Sequence, residues 1–178
     1  ILEFNLEDVD ENNLIIFGNL PYNISSQILI KLITHTKKNS IFKKFVLMFQ
    51  KEVADKIVAK INSKNYGRLS IISNWKLNIT KALNVSSNCF FPKPKIDSTV
   101  LIFEPKKEYF FINNSRNLEY ITRVFFNQKR KMIKKPLKQI FNNPEKVAKN
   151  FTLDLNLRPQ NLSPLNYFEL TREYEKTK

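Results

Sequence analysis

The chain has 178 residues, of which 42% are hydrophobic and 12% aromatic, so it can form a packed core and is not expected to be disordered as a whole. Its formal net charge of +14 indicates a polyanionic partner. A single cysteine excludes an internal disulfide and fits a reducing cytoplasm or organelle matrix, of which we expect the cytoplasm. No apolar stretch reaches membrane-spanning length, so no membrane partner is expected.

The first part of the chain alternates apolar, β-branched segments with segments of helical periodicity, which is typical of an α/β fold. Strands are predicted over Asn13–Phe17, Phe45–Phe49, Ile79–Val85 and Ser98–Phe103. Helices are predicted over Ile24–Ile33, Lys51–Ile61 and Arg68–Trp75. Ser25 or Ser26 is expected to cap the first of these helices.

Beyond Glu104–Asn114 the pattern changes to helices alone. These helices are predicted over Leu118–Phe126, Arg130–Phe141, Pro144–Asn150 and Pro164–Lys176. Ser163 followed by Pro164 is a favourable helix start, because serine is a good N-cap and proline is tolerated at the next position. The sequence therefore predicts an α/β domain over residues 1–107 and a small all-α domain over residues 108–178.

The segment Asn19-Leu20-Pro21-Tyr22 directly follows the first predicted strand. Pro21 stiffens the turn, so the carbonyls there and the Asn19 side chain can accept hydrogen bonds from an amino group. Tyr22 offers a ring on which a nucleobase can stack. This combination suits methylation of an exocyclic amine on a flipped base. The same four residues also form ordinary strand-to-turn connections, so they do not establish that chemistry alone.

A second segment, Phe90 to Ser98, carries two phenylalanines and alternate prolines. We expect an extended, semi-rigid connection that holds Phe90 or Phe91 as a second stacking surface. The alternative is a proline-rich connector whose phenylalanines belong to the core. Cys89, beside this segment, is expected to pack as a small apolar side chain.

A third segment, residues 106–149, contains twelve Lys or Arg against three Glu. Apolar residues interleave with the basic ones at helical spacing, which is the pattern of a helix that packs on one side and binds phosphates on the other. The candidate RNA-binding residues are Lys129, Arg130, Lys131, Lys134 and Lys135. A solvated charged helix is the alternative, although a block of like charge is costly without a partner.

Taken together, the motifs resemble those of the ribosomal RNA small-subunit adenine N6,N6-dimethyltransferases of the KsgA type. The matching segments are Asn-Leu-Pro-Tyr-Asn-Ile-Ser at 19–25, Gln-Lys-Glu-Val at 50–53, Tyr-Gly-Arg-Leu-Ser at 66–70, Phe-x-Pro-x-Pro-Lys at 90–95, Phe-Asn-Gln-Lys-Arg-Lys at 126–131 and Asn-Leu-Ser at 161–163. Their common order along the chain makes the resemblance specific.

The resemblance implies the C-terminal part of a Rossmann-like methyltransferase domain, followed by a small helical domain that binds rRNA. It implies S-adenosyl-L-methionine as methyl donor and, as substrate, two adjacent adenines in a 3′-terminal hairpin loop of small-subunit (16S) rRNA. The sequence itself shows no metal-ligand spacing, so no metal is expected. By the same match, Asn19 and the Leu20 or Pro21 carbonyl bind the adenine N6 amino group, and Tyr22 and Phe90 enclose the base. Gly18 and Asn19 would border the cofactor.

The chain departs from the family's pattern, because it lacks the motifs of the cofactor-binding half. It has two glycines in total, and no Gly-rich cofactor loop precedes the first predicted strand. We therefore expect an N-terminally truncated member, short by roughly 80–100 residues at about 30 or more per βαβ unit. Such a fragment is expected to be a monomer, to bind the cofactor poorly, to be inactive alone and to expose the edge of its first strand.

Three alternatives remain open from the sequence. The first is a 23S-type, macrolide-resistance adenine methyltransferase. The second is a relative of the mitochondrial transcription factors. The third is a non-catalytic RNA-binding factor in ribosome assembly. Leu20 and the Asn-Gln-Lys-Arg-Lys run at 127–131 favour the small-subunit enzyme.

Overall fold

The structure is a computed structural model that describes residues 13–36 and 42–177. These residues form two compact units. The sheet unit takes the described residues up to 58 together with residues 76–109, and the helical unit takes residues 59–75 and 110–177. The predicted boundary at 107/108 lies close to the crossing at 109/110. The sequence did not indicate that residues 59–75 pack with the helices.

The sheet unit contains a four-stranded mixed sheet. Its elements are β1 (Leu14–Asn19), α1 (Ser25–His35), β2 (Phe42–Gln50), α2 (Lys51–Ile57), β3 (Leu77–Val85) and β4 (Ser98–Pro105). The strand order is β1-β2-β4-β3, with β1 and β2 parallel and the other two pairs antiparallel. A helix joins β1 to β2, which permits a parallel pair, whereas the short connection from β3 to β4 turns the chain back on itself.

The core of the sheet unit comes from leucine and phenylalanine residues that alternate along the strands. Phe45, Leu47 and Phe49 of β2 are fully buried, and the Phe49 ring meets Phe103 edge-on at 6.0 Å between centroids. At one edge of the described sheet, β1 has a burial pattern that was not predicted. Ile15 and Phe17 lie on its exposed face and Phe17 is 75% exposed, although an apolar, β-branched run of this kind is typical of a buried strand.

The start of α1 differs from the prediction. Ile24, not Ser25 or Ser26, is the N-cap of α1, because the Ser25 hydroxyl instead donates to the Tyr22 carbonyl. The C-terminus of α1 is held by Lys76, whose ammonium group donates to the carbonyls of Thr34 and Thr36.

The predicted helix from Lys51 ends at Ile57 rather than at Ile61. Beyond that residue the chain makes tertiary hydrogen bonds within the helical unit. Asn62 adopts a left-handed φ of 68°, its N–H donates to the Gln160 carbonyl, and its side chain accepts from Asn161. Local periodicity therefore predicted a helix that these longer-range bonds interrupt.

The helical unit contains five helices among the residues that the structure describes. They are α3 (Arg68–Lys76, up to Trp75 in this unit), α4 (Ser115–Asn127), α5 (Lys134–Ile140), α6 (Pro144–Asn150) and α7 (Pro164–Lys176). The predicted start of α7 is confirmed: Ser163 and Asn166 form a reciprocal capping box. The bounds of α6 and α7 are as predicted.

Two buried tyrosines organise the core of the helical unit. Tyr66 donates its hydroxyl to the Leu162 carbonyl at 2.9 Å, and Tyr167 donates to the Pro159 carbonyl at 2.7 Å. The ring of Phe126 lies against both, at 6.2 Å from Tyr66 and 5.8 Å from Tyr167. Burial raises the pKa of each tyrosine, so both hydroxyls stay protonated and serve as donors.

The predicted helix over residues 130–141 is shorter than expected. It begins at Lys134, because the Ile133 N–H donates to the Leu157 carbonyl at 2.8 Å and the residues before it form a turn. Ile133 and Leu137 are fully buried, so this segment still has one apolar side and one basic side. No helix within the described ranges is both long and apolar enough to cross a membrane.

Candidate functional site

An open cleft of about 350 Å³ lies at the carboxyl ends of β1 and β2 in the sheet unit. Its walls come from two loops: Asn19, Leu20, Pro21 and Tyr22 on one side, and Phe90, Phe91, Pro92 and Pro94 on the other. The cleft thus brings together the residues that were predicted as catalytic, from segments about 70 positions apart.

The sheet topology explains why these segments meet. Parallel strands end at the same edge, so Asn19 at the end of β1 pairs with Met48 near the end of β2. Strand β4 runs antiparallel, so it begins at that edge, where Ser98 pairs with Gln50. The residues just before β4 are therefore carried to the loop that follows β1.

The Asn19–Tyr22 loop is fixed by its own hydrogen bonds. The Pro21 carbonyl accepts from the Ile24 N–H at 3.1 Å, and the Tyr22 carbonyl accepts from the Ser25 hydroxyl at 3.2 Å. Leu20 is buried, whereas Asn19 and Pro21 are exposed on the cleft side. The Pro21 oxygen keeps one lone pair for a ligand, because a carbonyl can accept two hydrogen bonds.

Tyr22 is oriented by a residue that sequence reasoning did not single out for a role. Its hydroxyl shares a hydrogen bond of 2.8 Å with the hydroxyl of Ser98, which is fully buried at the start of β4. A ring fixed at its hydroxyl end cannot tilt freely. The Asp-Ser pair before an apolar strand was visible in the sequence, but only the antiparallel pairing of β4 places it behind Tyr22.

Phe90 is positioned by Asp97 through a short turn. The Asp97 carboxylate accepts from the Ser87 N–H at 2.8 Å, at the start of a 3₁₀ turn over Ser87–Cys89 that leads directly to Phe90. Phe90 is half-buried and Phe91 is fully exposed. Phe90 itself has the predicted extended backbone, but bends at 90–92 and 95–96 interrupt the extended run. Cys89 is exposed rather than packed as predicted.

Gly18, predicted to border the cofactor, has a packing role in this structure. A Cβ built on it would lie 2.9 Å from a methyl group of Leu20 and 2.9 Å from one of Leu47. The missing side chain thus makes room for two buried leucines. Asn19 does line the cleft. Of the two residues that were predicted to bind the cofactor, Asn19 is therefore the one whose side chain could contact a polar ligand there.

The predicted RNA-binding residues lie in the turn after α4 and in the first turn of α5. Arg130, Lys131, Lys134 and Lys135 are exposed. Lys129 differs from them, because its ammonium group donates to the carbonyls of Lys64 at 2.7 Å and Tyr66 at 3.4 Å. Lys129 therefore ties the turn to the Tyr66 segment of the same unit, a role that its position in a basic run did not indicate.

The fold and the cleft together define a Rossmann-like methyltransferase. The solved dimethyladenosine transferase from Plasmodium falciparum superposes with a TM-score of 0.76 and 28% identity, covering 96% of this chain and 70% of that one. The family model for ribosomal RNA adenine dimethylase matches residues 1–176. The chain belongs to the ribosomal RNA adenine dimethylase family.

Curated relatives agree with that assignment. The chain is 53% identical over 175 residues to the ribosomal RNA small subunit methyltransferase A of Pelagibacter ubique, covering 98% of this chain and 67% of the relative. It is 38% identical over 170 residues to the protein of the same name from Ehrlichia chaffeensis, covering 96% and 64%. The chain therefore spans about two thirds of the length of these relatives.

Proposed function

We propose that this protein dimethylates the N6 amino groups of two adjacent adenines in a 3′-terminal hairpin loop of small-subunit rRNA, with S-adenosyl-L-methionine as methyl donor, during ribosome biogenesis in the cytoplasm. The observation that carries the proposal is the cleft that unites Asn19, Tyr22 and Phe90. Family membership and the small-subunit name of both relatives support it.

The two aromatic walls suit a nucleobase that has left its stack. Tyr22 lies on one wall of the cleft and Phe90 on the other. Stacking on an aromatic ring contributes about 1–3 kcal/mol per base, and two rings would offset the few kcal/mol that extrusion of a base costs. In the proposed complex the adenine therefore lies between the two rings.

The polar groups of the loop suit an exocyclic amino group. The side-chain oxygen of Asn19 and the carbonyl of Leu20 or Pro21 would accept hydrogen bonds from the adenine N6–H groups. The N6 lone pair is delocalised into the purine ring, and acceptors on both N–H groups favour a pyramidal nitrogen whose lone pair points away from them. This orientation makes the nitrogen a better nucleophile without prior loss of a proton.

S-adenosyl-L-methionine would supply an activated methyl group, and Asn19 is the described residue proposed to border it. Among the residues that the structure describes, the side chains that line the cleft include no carboxylate and no imidazole. We therefore assign catalysis to positioning of the base rather than to a general base, since holding reactants in a near-attack geometry can itself supply several kcal/mol.

The basic residues of the helical unit would supply the affinity for rRNA. Arg130, Lys131, Lys134 and Lys135 are exposed and suit contacts with phosphates, which set the orientation of a protein on RNA without reading its sequence. The proposed partner is thus the small-subunit rRNA, bound by a monomer.

The test is methyl transfer from labelled S-adenosyl-L-methionine to small ribosomal subunits by the product of the complete gene. Asn19→Ala is expected to lower the rate by a factor on the order of 100, as loss of one preorganised polar group does in other enzymes. Tyr22→Ala is expected to lower it by about tenfold to a hundredfold, because it removes a stacking surface that contributes about 1–3 kcal/mol. Asn23→Ala is the matched control, because Asn23 is an exposed asparagine of the same loop that does not line the cleft.

Three results would contradict the proposal. Equal rates for Asn19→Ala and Asn23→Ala would show that the cleft takes no part in methyl transfer. No transfer by the unmodified protein, together with tight binding to small subunits, would favour the non-catalytic assembly factor. Transfer to large subunits in preference to small ones would favour the 23S-type enzyme.

A further inference from the structure

A second cavity, of about 350 Å³, lies in the helical unit and is lined by arginines. Its lining residues are Arg68, Arg116, Glu119, Tyr120 and Arg123. Arg68 is the first residue of α3, and the other four lie on α4. Residues 116, 119, 120 and 123 share one face of that helix, because they are spaced by three, four and seven positions. We call this the arginine cavity.

Within the described ranges, the positive charge of the arginine cavity is not balanced by carboxylates. Three guanidinium groups face a single carboxylate, that of Glu119. Among the described residues, none of the three arginines has an oxygen of Glu119 or of another carboxylate within salt-bridge distance. The Nε atom of Arg68 is shielded from water and has no hydrogen-bond partner there. Buried donors of this kind ordinarily have a partner.

Tyr120 makes the arginine cavity a rigid one. Its ring is stacked on that of Tyr174, with centroids 5.4 Å apart and planes at 27°. The guanidinium of Arg123 lies 5.8 Å from the Tyr120 centroid, a cation–π arrangement that restrains the arginine without neutralising it. Arg116 and Arg123 thus lie on one face of α4 beside a restrained aromatic ring, an arrangement that suits an anion.

We propose that the arginine cavity binds a phosphate of the RNA backbone, as a contact separate from the basic residues 130–135; this inference rests on the function proposed above. Guanidinium groups bind phosphate oxygens in a bidentate manner. Three guanidinium groups suit a tetrahedral phosphate, which has several oxygens, better than they suit a single planar carboxylate. An RNA strand is favoured over an acidic peptide because the chain as a whole carries a formal net charge of +14, which suits a partner with a phosphate at every residue.

The test is the salt dependence of binding to an RNA hairpin with the small-subunit 3′-terminal sequence. We expect the double variant Arg116→Gln/Arg123→Gln to bind about tenfold more weakly near 0.1 M salt, and to reduce the slope of log affinity against log salt by about 1, as loss of one phosphate contact does. Both arginines are exposed, so the fold is expected to survive, and circular dichroism checks that it does.

Two matched variants separate a site from a general charge effect. Lys81→Gln/Lys107→Gln removes the same charge from exposed positions of the sheet unit, and is expected to change the slope by less than half as much. Arg116→Lys/Arg123→Lys keeps the charge, so it is expected to keep the slope but to bind more weakly than the unmodified protein, because an ammonium group cannot form the bidentate contact. If the two glutamine variants behave alike, or if the lysine variant binds as tightly as the unmodified protein, the arginine cavity is not a bidentate phosphate site.

Other anions identify the source of the phosphate. Inorganic phosphate at millimolar concentration is expected to compete only weakly, and polyglutamate is expected not to compete. Competition by polyglutamate that the glutamine variant abolishes would instead indicate an acidic protein partner. If the unmodified protein binds the hairpin and all variants match it, only this inference fails. If the unmodified protein does not bind the hairpin, the function proposed above fails as well.

Discussion

The cleft of the sheet unit and the arginine cavity of the helical unit have similar volumes, about 350 Å³ each, and opposite chemistry. The cleft is aromatic and proline-rich, with the Asn19 amide as its main polar side chain. Its walls are held by hydrogen bonds inside the unit. The arginine cavity is cationic, and its arginines have no carboxylate partner in the described part of the chain.

A protein of this family can thus divide recognition between two kinds of force. Stacking and short hydrogen bonds depend on geometry and are little affected by salt, so they suit the base that reacts. Phosphate contacts act through charge and weaken as salt rises, so they suit general affinity for the strand. Changes in the sheet unit should therefore affect methyl transfer, and changes in the basic surface should affect salt-dependent binding.

The largest expected effect comes from glycine substitution beneath the cleft. Gly18→Ala places a methyl group 2.9 Å from Leu20 and Leu47, and overpacking of this kind costs about 1–3 kcal/mol. Gly67→Ala is the matched control, because its Cβ would lie 3.8 Å from the Phe126 ring, an ordinary contact, and its φ is not positive. Urea unfolding measures both, and equal stabilities would contradict the packing role of Gly18.

A smaller effect is expected from the residue behind Tyr22. Ser98→Ala removes the hydroxyl that orients the ring, and we expect methyl transfer by the product of the complete gene to slow by about threefold to tenfold, equivalent to a net hydrogen bond of about 0.5–1.5 kcal/mol. The control is Thr99→Ala, which removes the neighbouring buried hydroxyl, bonded to Asn84 away from the cleft. If both variants slow transfer equally, Ser98 is not a positioning residue.

The smallest effect is expected in the helical unit, at Glu175. Its carboxylate is partly buried, which alone would raise its pKa, but hydrogen bonds from Asn117 and from the N–H groups of Asn113 and Asn114 outweigh this, so its pKa lies below the usual range. A lowered pKa in the folded state means that the stabilisation is present near neutral pH and is lost as pH falls below the ordinary glutamate range through the folded-state pKa.

Glu175→Gln is accordingly expected to lower the free energy of unfolding by about 0.5–1 kcal/mol near pH 7, as loss of a helix-capping acceptor does. The difference from the unmodified chain should shrink as the pH falls below the ordinary glutamate range and Glu175 itself becomes protonated. Urea unfolding at several pH values measures it. A difference that stays constant with pH would show that the carboxylate charge is not what holds the start of α4.

Much of the site could be read from local sequence. The Asn-Leu-Pro-Tyr segment after an apolar run, and the phenylalanine–proline segment before the last strand, each indicated a wall of a nucleobase pocket. Local signals also predicted the start of α7 at Ser163 and Pro164, because capping depends on residues three positions apart. The family resemblance followed from the order of these segments, and the comparisons confirm it.

Other features depended on partners distant in the sequence. Ser98 and Asp97 act on Tyr22 and Phe90 only because β4 runs antiparallel to β2, which no local pattern encodes. The helix from Lys51 ends at Ile57, and Lys129 binds carbonyls of residues 64 and 66 rather than facing solvent with its basic neighbours.

The sequence by itself thus determined the strands, most of the helices, the two aromatic walls and the excess of positive charge, because each of these depends on the type and spacing of nearby residues. The tertiary structure decided which charges stay unpaired, which serine and aspartate hold the walls, and which glycine is needed for packing. Those properties depend on atoms brought within about 3–4 Å by strand pairing and helix packing, distances at which hydrogen bonds and van der Waals contacts act.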